Sequence, residues 1–169
     1  GGGHFAPELK FAGYDVIIVQ GKADKPVYLW IEDDRVEIKD AGHLWGKTIS
    51  ETFELLQEKH GPDIRSIGIG PGGENLVKFA CVVTDDMRTP GGIGSGCVMG
   101  AKNLKTIAVR GTKTILVADP DKVFEVEREA IAALKERGGH PWFHQYGTTT
   151  LVATMGHGGS LPVRNYQYS

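Results

Sequence analysis

Apolar and polar positions alternate through much of the first two thirds of the chain. Residues 14–20 form a β-rich run that stops at Gly21. In residues 26–32, Val27, Leu29 and Ile31 fall on one face of a strand and Tyr28 and Trp30 on the other, the period-two pattern of a strand. Asp33-Asp34 make a two-residue turn into 35–39, where Val36 and Ile38 alternate, so a hairpin is predicted. The period then changes. Thr48 and Glu51 have capping-box spacing ahead of Ile49, Phe53 and Leu56, which share a helical face, and the helix should end near His60-Gly61-Pro62. Strand signals return at 64–69, 77–84, 104–110 and 114–117. Few of the connections are long enough for repeated βαβ crossovers. The predicted fold class is therefore α+β: a mainly antiparallel β-sheet domain with one or two helices, followed by the start of an all-α domain.

The second part begins at Asp119-Pro120, an N-cap followed by proline at the first helical position. Val123, Val126, Ala130 and Leu134 recur at helical spacing, and Gly138-Gly139 should stop that helix. A shorter helix is predicted over 150–155, and no helical closure is visible over 161–169. The expected domains are 1–117 and 118–169.

Composition changes this picture in one respect. Apolar residues make up 40 % of the 169 positions and charged residues 24 %, both ordinary values. Glycine is not ordinary: there are 24, roughly twice the usual ~7 % share. They lack a collagen period and cluster at the N-terminus, at 68–73 and at 91–100, which implies backbone that turns sharply or approaches something closely. Nineteen basic against twenty-one acidic residues give a net charge of −2. That balance argues against a phosphate-tracking nucleic-acid partner. No run of about 20 apolar residues offers a membrane span. Two cysteines, Cys81 and Cys97, make no disulfide framework and point to a reducing compartment, hence a cytoplasmic location. The chain opens Gly-Gly-Gly-His without Met, so a missing or processed N-terminus is expected.

Several motifs read better as structure than as chemistry. Gly68-x-Gly70-x-x-Gly73 matches a dinucleotide fingerprint literally, but Pro71 sits within it and the acidic pair Asp85-Asp86 comes too early. Gly46-Lys47-Thr48 resembles the end of a P-loop, but Ala41 stands where that spacing needs glycine, so Thr48 is read as a helix cap. Cys81 and Cys97 have no metal-knuckle spacing and flank apolar runs, so both are read as buried thiols. The six histidines are scattered, and Pro141 argues against one helix joining His140 to His144. The acid pairs Asp33-Asp34 and Asp85-Asp86 are read as turns. The segment 91–100 supports two readings equally. Its glycines could present successive N–H groups to an anion, with Ser95 as a further donor and Lys102 and Lys105 as counter-charges. Alternatively, they form a turn packed closely on another strand.

Three blocks carry a resemblance: Gly3-His-Phe-Ala-Pro-Glu-Leu-Lys-Phe-Ala-Gly-Tyr-Asp15, Gly70-Pro-Gly-Gly-Glu-Asn-Leu-Val-Lys-Phe-Ala80 and Val98-Met-Gly-Ala-Lys-Asn-Leu-Lys105. In order and spacing they resemble the aldehyde:ferredoxin oxidoreductase family, and the similarity runs through essentially the whole chain. The resemblance implies a fragment of a longer tungsten (or molybdenum) enzyme with a bis-pterin cofactor, a bridging magnesium and a 4Fe–4S cluster. Residues 1–117 would be part of the β-rich base beneath the cofactor, and 118–169 the beginning of a helical domain. It further implies that aldehydes are oxidised to carboxylic acids, with electrons leaving through the cluster to ferredoxin or another electron-transfer subunit. A homodimer is also implied; nucleic-acid and membrane partners are not.

By the same resemblance, Gly2 and Gly3 would approach the pterin and its magnesium. Gly91, Gly92, Gly94, Ser95 and Gly96 match a family loop that touches pterin phosphate. Gly92 stands where the family arginine usually stands, and Arg88 is a candidate replacement. No residue of the chain is a candidate for the catalytic or metal-ligating roles. Alternatives are the tungsten subunit of a benzoyl-CoA reductase-type enzyme, or a non-catalytic scaffold of the same fold. The isolated chain is expected to be inactive, to hold no cofactor, and to expose an apolar face that makes it associate.

Overall fold

The computed structural model describes residues 2–85, 87–136, 141–161, 164–165 and 167. The chain divides into two compact units, Gly1–Leu116 and Val117–Ser169.

The first unit is a five-stranded sheet carrying helices on both faces. Strand β1 (Val27–Glu32) and strand β2 (Arg35–Asp40) form the predicted hairpin, with Leu29 opposite Ile38 and Ile31 opposite Val36. Strand β3 (Arg65–Gly68), the short β4 (Val83–Thr84) and β5 (Leu104–Arg110) complete the sheet in the order β2-β1-β5-β3-β4. β1 and β5 run parallel; the other three pairings are antiparallel. The α+β class with a mainly antiparallel sheet is therefore what the chain adopts.

Alternation along β1 sends its side chains into two cores. Tyr28 and Trp30 join Ala41, Leu44, Leu56, Ile64 and Ala108 under helix α2 (Ile49–His60). Ile31 and Val109 face the other way and meet Ala12, Phe5 and Leu9 from helix α1 (Phe5–Phe11) and its C-cap. Helix α2 begins as its sequence predicts: the Thr48 hydroxyl accepts from the Glu51 N–H, and the Glu51 carboxylate accepts from the Thr48 N–H at 2.8 Å. That reciprocal cap satisfies two of the N–H groups a helix start leaves over.

The helices of this unit are more numerous than the one or two expected. Among the described residues there are four, with α3 (Pro71–Glu74) and α4 (Ser95–Ala101) built from glycine-rich sequence that carries no apolar period. Three predicted strands are also corrected. Residues 14–20 and 114–117 form no strand, and of 77–84 only Val83–Thr84 pairs. β-branched composition alone does not make a strand; it needs a neighbour to complete its ladder. Within 77–82 the chain turns instead, with Ala80 N–H donating to the Val77 carbonyl at 2.9 Å. Ile17, Ile18 and Val19 flank an apolar groove of about 490 Å³ against Leu29, Val36 and Ile38. Ile18, Ile38, Phe79 and Ile93 are each at least three-quarters exposed, so this unit does present apolar surface.

The second unit is helical among its described residues. Asp119 caps helix α5 (Pro120–Glu136), accepting from the Lys122 N–H at 3.0 Å. Helix α6 (Pro141–Tyr146), a 3₁₀ turn (Gly147–Thr150) and helix α7 (Leu151–His157) follow. The predicted stop at Gly138-Gly139, His140, Asp86, Gly1, and most of the terminal segment 162–169 lie outside the described residues. No helix is long and apolar enough to cross a membrane among the described residues.

Candidate functional site

The glycine clusters at 68–73 and 91–100 come together. Gly70 caps α3, with Pro71 at its first position, and Gly94 caps α4 in the left-handed conformation at φ 71°. The two short helices touch without intervening side chains. A Cβ at Gly100 would lie 1.9 Å from the Gly73 carbonyl oxygen, and one at Gly73 would lie 2.9 Å from the Gly96 oxygen. On the other side, a Cβ at Gly94 would meet the Lys78 oxygen at 2.2 Å, and one at Gly96 the Cys81 oxygen at 2.5 Å. The seam is backbone against backbone, a distance only glycine allows.

The two readings of 91–100 therefore divide along the segment. Gly94, Gly96 and Gly100 are buried packing residues, and Gly96 N–H is already committed to the Ala80 carbonyl at 2.9 Å. Gly91 and Gly92 are exposed, and nothing lies within 4 Å of a Cβ at Gly92. Among the described residues, no backbone carbonyl accepts from the N–H groups of Gly91, Gly92, Ile93, Gly94 or Ser95. The Ser95 Oγ is buried and has no hydrogen-bond partner. An orphaned hydroxyl beside unpaired N–H groups is an unfinished hydrogen-bonding account.

Arg88 is exposed, and its backbone is pinned: its N–H donates to the Thr84 hydroxyl at 2.9 Å, and its carbonyl accepts from the Thr84 N–H at 2.9 Å. The aliphatic stem of Arg88 passes beside Gly2, 3.8 Å from where a Cβ there would stand. Gly3 follows in the left-handed region at φ 92°. Gly2 and Arg88 are thus neighbours despite their separation in sequence.

The lysines read as counter-charges do other work. Lys102 Nζ donates to the Gly21 carbonyl at 2.9 Å. Lys105 is fully buried; its Nζ bonds the Glu74 carboxylate and the Lys47 carbonyl, the latter at 2.7 Å. Its signal in the sequence is a charge between Leu104 and the run Ile107–Val109 of a predicted strand, a position that, once buried, demands a partner. Cys81 and Cys97 are half-buried free thiols rather than fully buried ones, with sulfurs near the Phe79 and Leu76 carbonyls.

Periodicity also gave no hint of the ring cluster under α2. His60 stacks on Trp30 at 3.8 Å between centroids and shares a 3.0 Å hydrogen bond with the Tyr28 hydroxyl. Burial, with Lys59 and Lys39 nearby, pushes the His60 pKa below its usual 6.5. Asp33 holds the turn expected of it: its carboxylate accepts from both the Thr112 hydroxyl and N–H, which lowers its pKa. Among the described residues, no group of three or more His, Cys, Asp or Glu could hold a metal ion.

Residues 1–111 match the family described as aldehyde ferredoxin oxidoreductase, N-terminal domain. The chain belongs to the aldehyde ferredoxin oxidoreductase family. Within it, the chain is 48 % identical over 98 % of its length to a tungsten-containing aldehyde ferredoxin oxidoreductase of Pyrococcus furiosus, and 50 % identical over the same share to that of Pyrococcus abyssi. An aliphatic sulfonate oxidoreductase, WOR-like subunit, of Pyrococcus furiosus is 39 % identical over 95 % of the chain. The chain spans 28 % of the length of each of these relatives. Among solved structures, a chain of the active-site complex BamBC of benzoyl-coenzyme A reductase, in complex with 1,5-dienoyl-CoA, aligns with a TM-score of 0.76 and 42 % identity. The alignment covers 80 % of this chain and 21 % of that one.

Proposed function

We propose that this chain is part of a tungsten-dependent oxidoreductase that oxidises aldehydes to carboxylic acids and passes the electrons through a 4Fe–4S cluster to ferredoxin. The observation that carries this reading is the 48–50 % identity, over 98 % of the chain, to enzymes named for that reaction. In the reaction class, an aldehyde and water yield a carboxylic acid, two protons and two electrons. Residues 1–117 form part of the base domain of the longer protein, and 118–169 begin its helical part. The whole protein works in the cytoplasm, with a homodimer as its assembly.

The residues present fit the phosphate end of a bis-pterin cofactor. The free N–H groups of Gly91 and Gly92, the orphaned Ser95 hydroxyl and the exposed Arg88 guanidinium are donors of the kind that hold phosphate. Gly94 and Gly96 set that loop's shape, the Gly96 N–H being already committed to the Ala80 carbonyl, and Gly2 and Gly3 bring the N-terminal backbone alongside Arg88. A bridging magnesium would sit with those phosphates. When bound, the cofactor supplies a tungsten centre that takes up the two electrons of the oxidation. The protein's share at this surface is binding and orientation.

A second reading keeps the family and changes the substrate to an aromatic acyl-CoA thioester, on the 42 % identity and TM-score of 0.76 to the benzoyl-coenzyme A reductase chain. The higher identity to the aldehyde enzymes favours the first. The test uses the full-length protein with reduction of ferredoxin as the readout. Aldehyde-dependent reduction with formation of the acid is the expected result. Turnover of benzoyl-CoA without turnover of any aldehyde would select the second reading. Neither activity, in protein shown to contain tungsten, would overturn both.

A further inference from the structure

Outside the loop just described, a buried ion pair joins three separated parts of the first unit. Lys105, the second residue of β5, is fully buried, and the Glu74 side chain is only 4 % exposed. The pair is not isolated. Lys105 Nζ also donates to the Lys47 carbonyl at 2.7 Å, and the second Glu74 oxygen accepts from the Gly46 N–H at 2.8 Å. One cluster therefore ties the sheet, the end of α3, and the loop that leads into the α2 cap.

The seam it supports is closed mainly by main-chain atoms. Between α3 and α4 the closest approaches are glycine backbone on glycine backbone, and the Cys97 thiol reaches the Leu76 carbonyl beside them. These contacts couple the two helices to each other, so what fixes one to the sheet also fixes the other. The last residue of α3 is Glu74, which places the ion pair at the point where α3 would otherwise be free to lift from the sheet. Ile69, just before α3, donates its N–H to the Lys105 carbonyl at 2.9 Å, so the backbone and side chain of one residue anchor the chain before the helix start and at its end.

We propose that Lys105 and Glu74 are positioning residues: a buried latch that holds α3, and through the glycine seam the loop 91–96, in place on the sheet. The link from the latch to cofactor retention rests on the proposed function above; the link from the latch to the loop does not. A buried pair that merely compensated its own charges would behave differently from a latch. Replacing both partners by apolar residues would then restore everything.

The experiment uses the full-length protein as wild type, Glu74→Gln, Lys105→Met and the double variant Glu74→Leu/Lys105→Met. Two readouts are taken: hydrogen exchange of backbone amides, and tungsten content per chain after gel filtration. In the single variants, the hydrogen-bonded amides of 73–77 and 96–100 should exchange at least about tenfold faster, with those of β1 and β2 unchanged. The double variant should regain the thermal midpoint yet keep the fast exchange at 96–100. Should the singles fail to fold, the double variant decides alone. Exchange at 96–100 restored by the double variant, or rising equally in β1 and β2, would overturn the latch. Fast local exchange with tungsten fully retained would uphold the latch and count against a cofactor role for this loop. Tungsten should fall together with protection if both hold.

Discussion

The sheet core and the glycine seam lie in the same unit and hold together by opposite means. Around β1 and α2, Tyr28, Trp30, Leu44, Leu56 and Ile64 fill space with side chains. Between α3 and α4, space is closed by removing side chains, until main-chain atoms meet. The first kind of packing tolerates a change of shape if volume is conserved. The second tolerates no added atom at its contact points. It also leaves main-chain N–H groups near the surface, which a side-chain core would have covered. The phosphate-binding role proposed for 91–96 would gain from that arrangement, because backbone donors are rigid once the backbone is fixed.

The largest expected effect therefore falls on the smallest substitution. Gly100→Ala should cost about 4 kcal/mol, near the extreme for a single change, because the new methyl meets the Gly73 carbonyl and neither helix can move without the other. Gly72→Ala, where nothing lies within 4 Å, should be neutral or slightly stabilising, by about 0.5 kcal/mol. Denaturant midpoints of the two variants check the contrast, and equal midpoints would break it. Leu56→Ala, at a fully buried site under the sheet, should cost about 3 kcal/mol through a cavity. Its hydrogen-exchange signature should spread across β1 and α2 while 96–100 keeps its protection.

The smallest effect is on pH dependence. Burial holds His60 below its ordinary 6.5, so the unfolded chain takes up a proton before the folded chain does. The contribution is fully present above 6.5 and is lost as pH falls toward the folded value. Stability of the wild type should therefore decline more steeply between about pH 7 and 5 than that of His60→Gln. Parallel curves would show that the stacked ring on Trp30 is not coupled to folding.

Side-chain periodicity made the core legible in advance. β1, β2, β5, α2 and α5 each announce themselves through spacing, and the Thr48 and Asp119 caps through residue type. The seam was legible only as a surplus of glycine. Without side chains, α3 and α4 carry no period, and β-branched residues in 77–82 suggested a strand where the backbone turns to support Gly94 and Gly96. Lys105 was misleading for a related reason. In sequence, a lysine near a glycine loop reads as a counter-charge; only the fold shows Glu74 closing on it from 31 residues away. Family resemblance filled part of that gap, since the three matching blocks bracket the seam.

The most direct test of the account is a structure of the full-length protein with its cofactor, read at one place. A cofactor phosphate oxygen should lie within about 3 Å of the Gly91 or Gly92 N–H, with the Arg88 guanidinium on the same phosphate. Phosphates held on another surface, with 91–96 facing only protein, would contradict it.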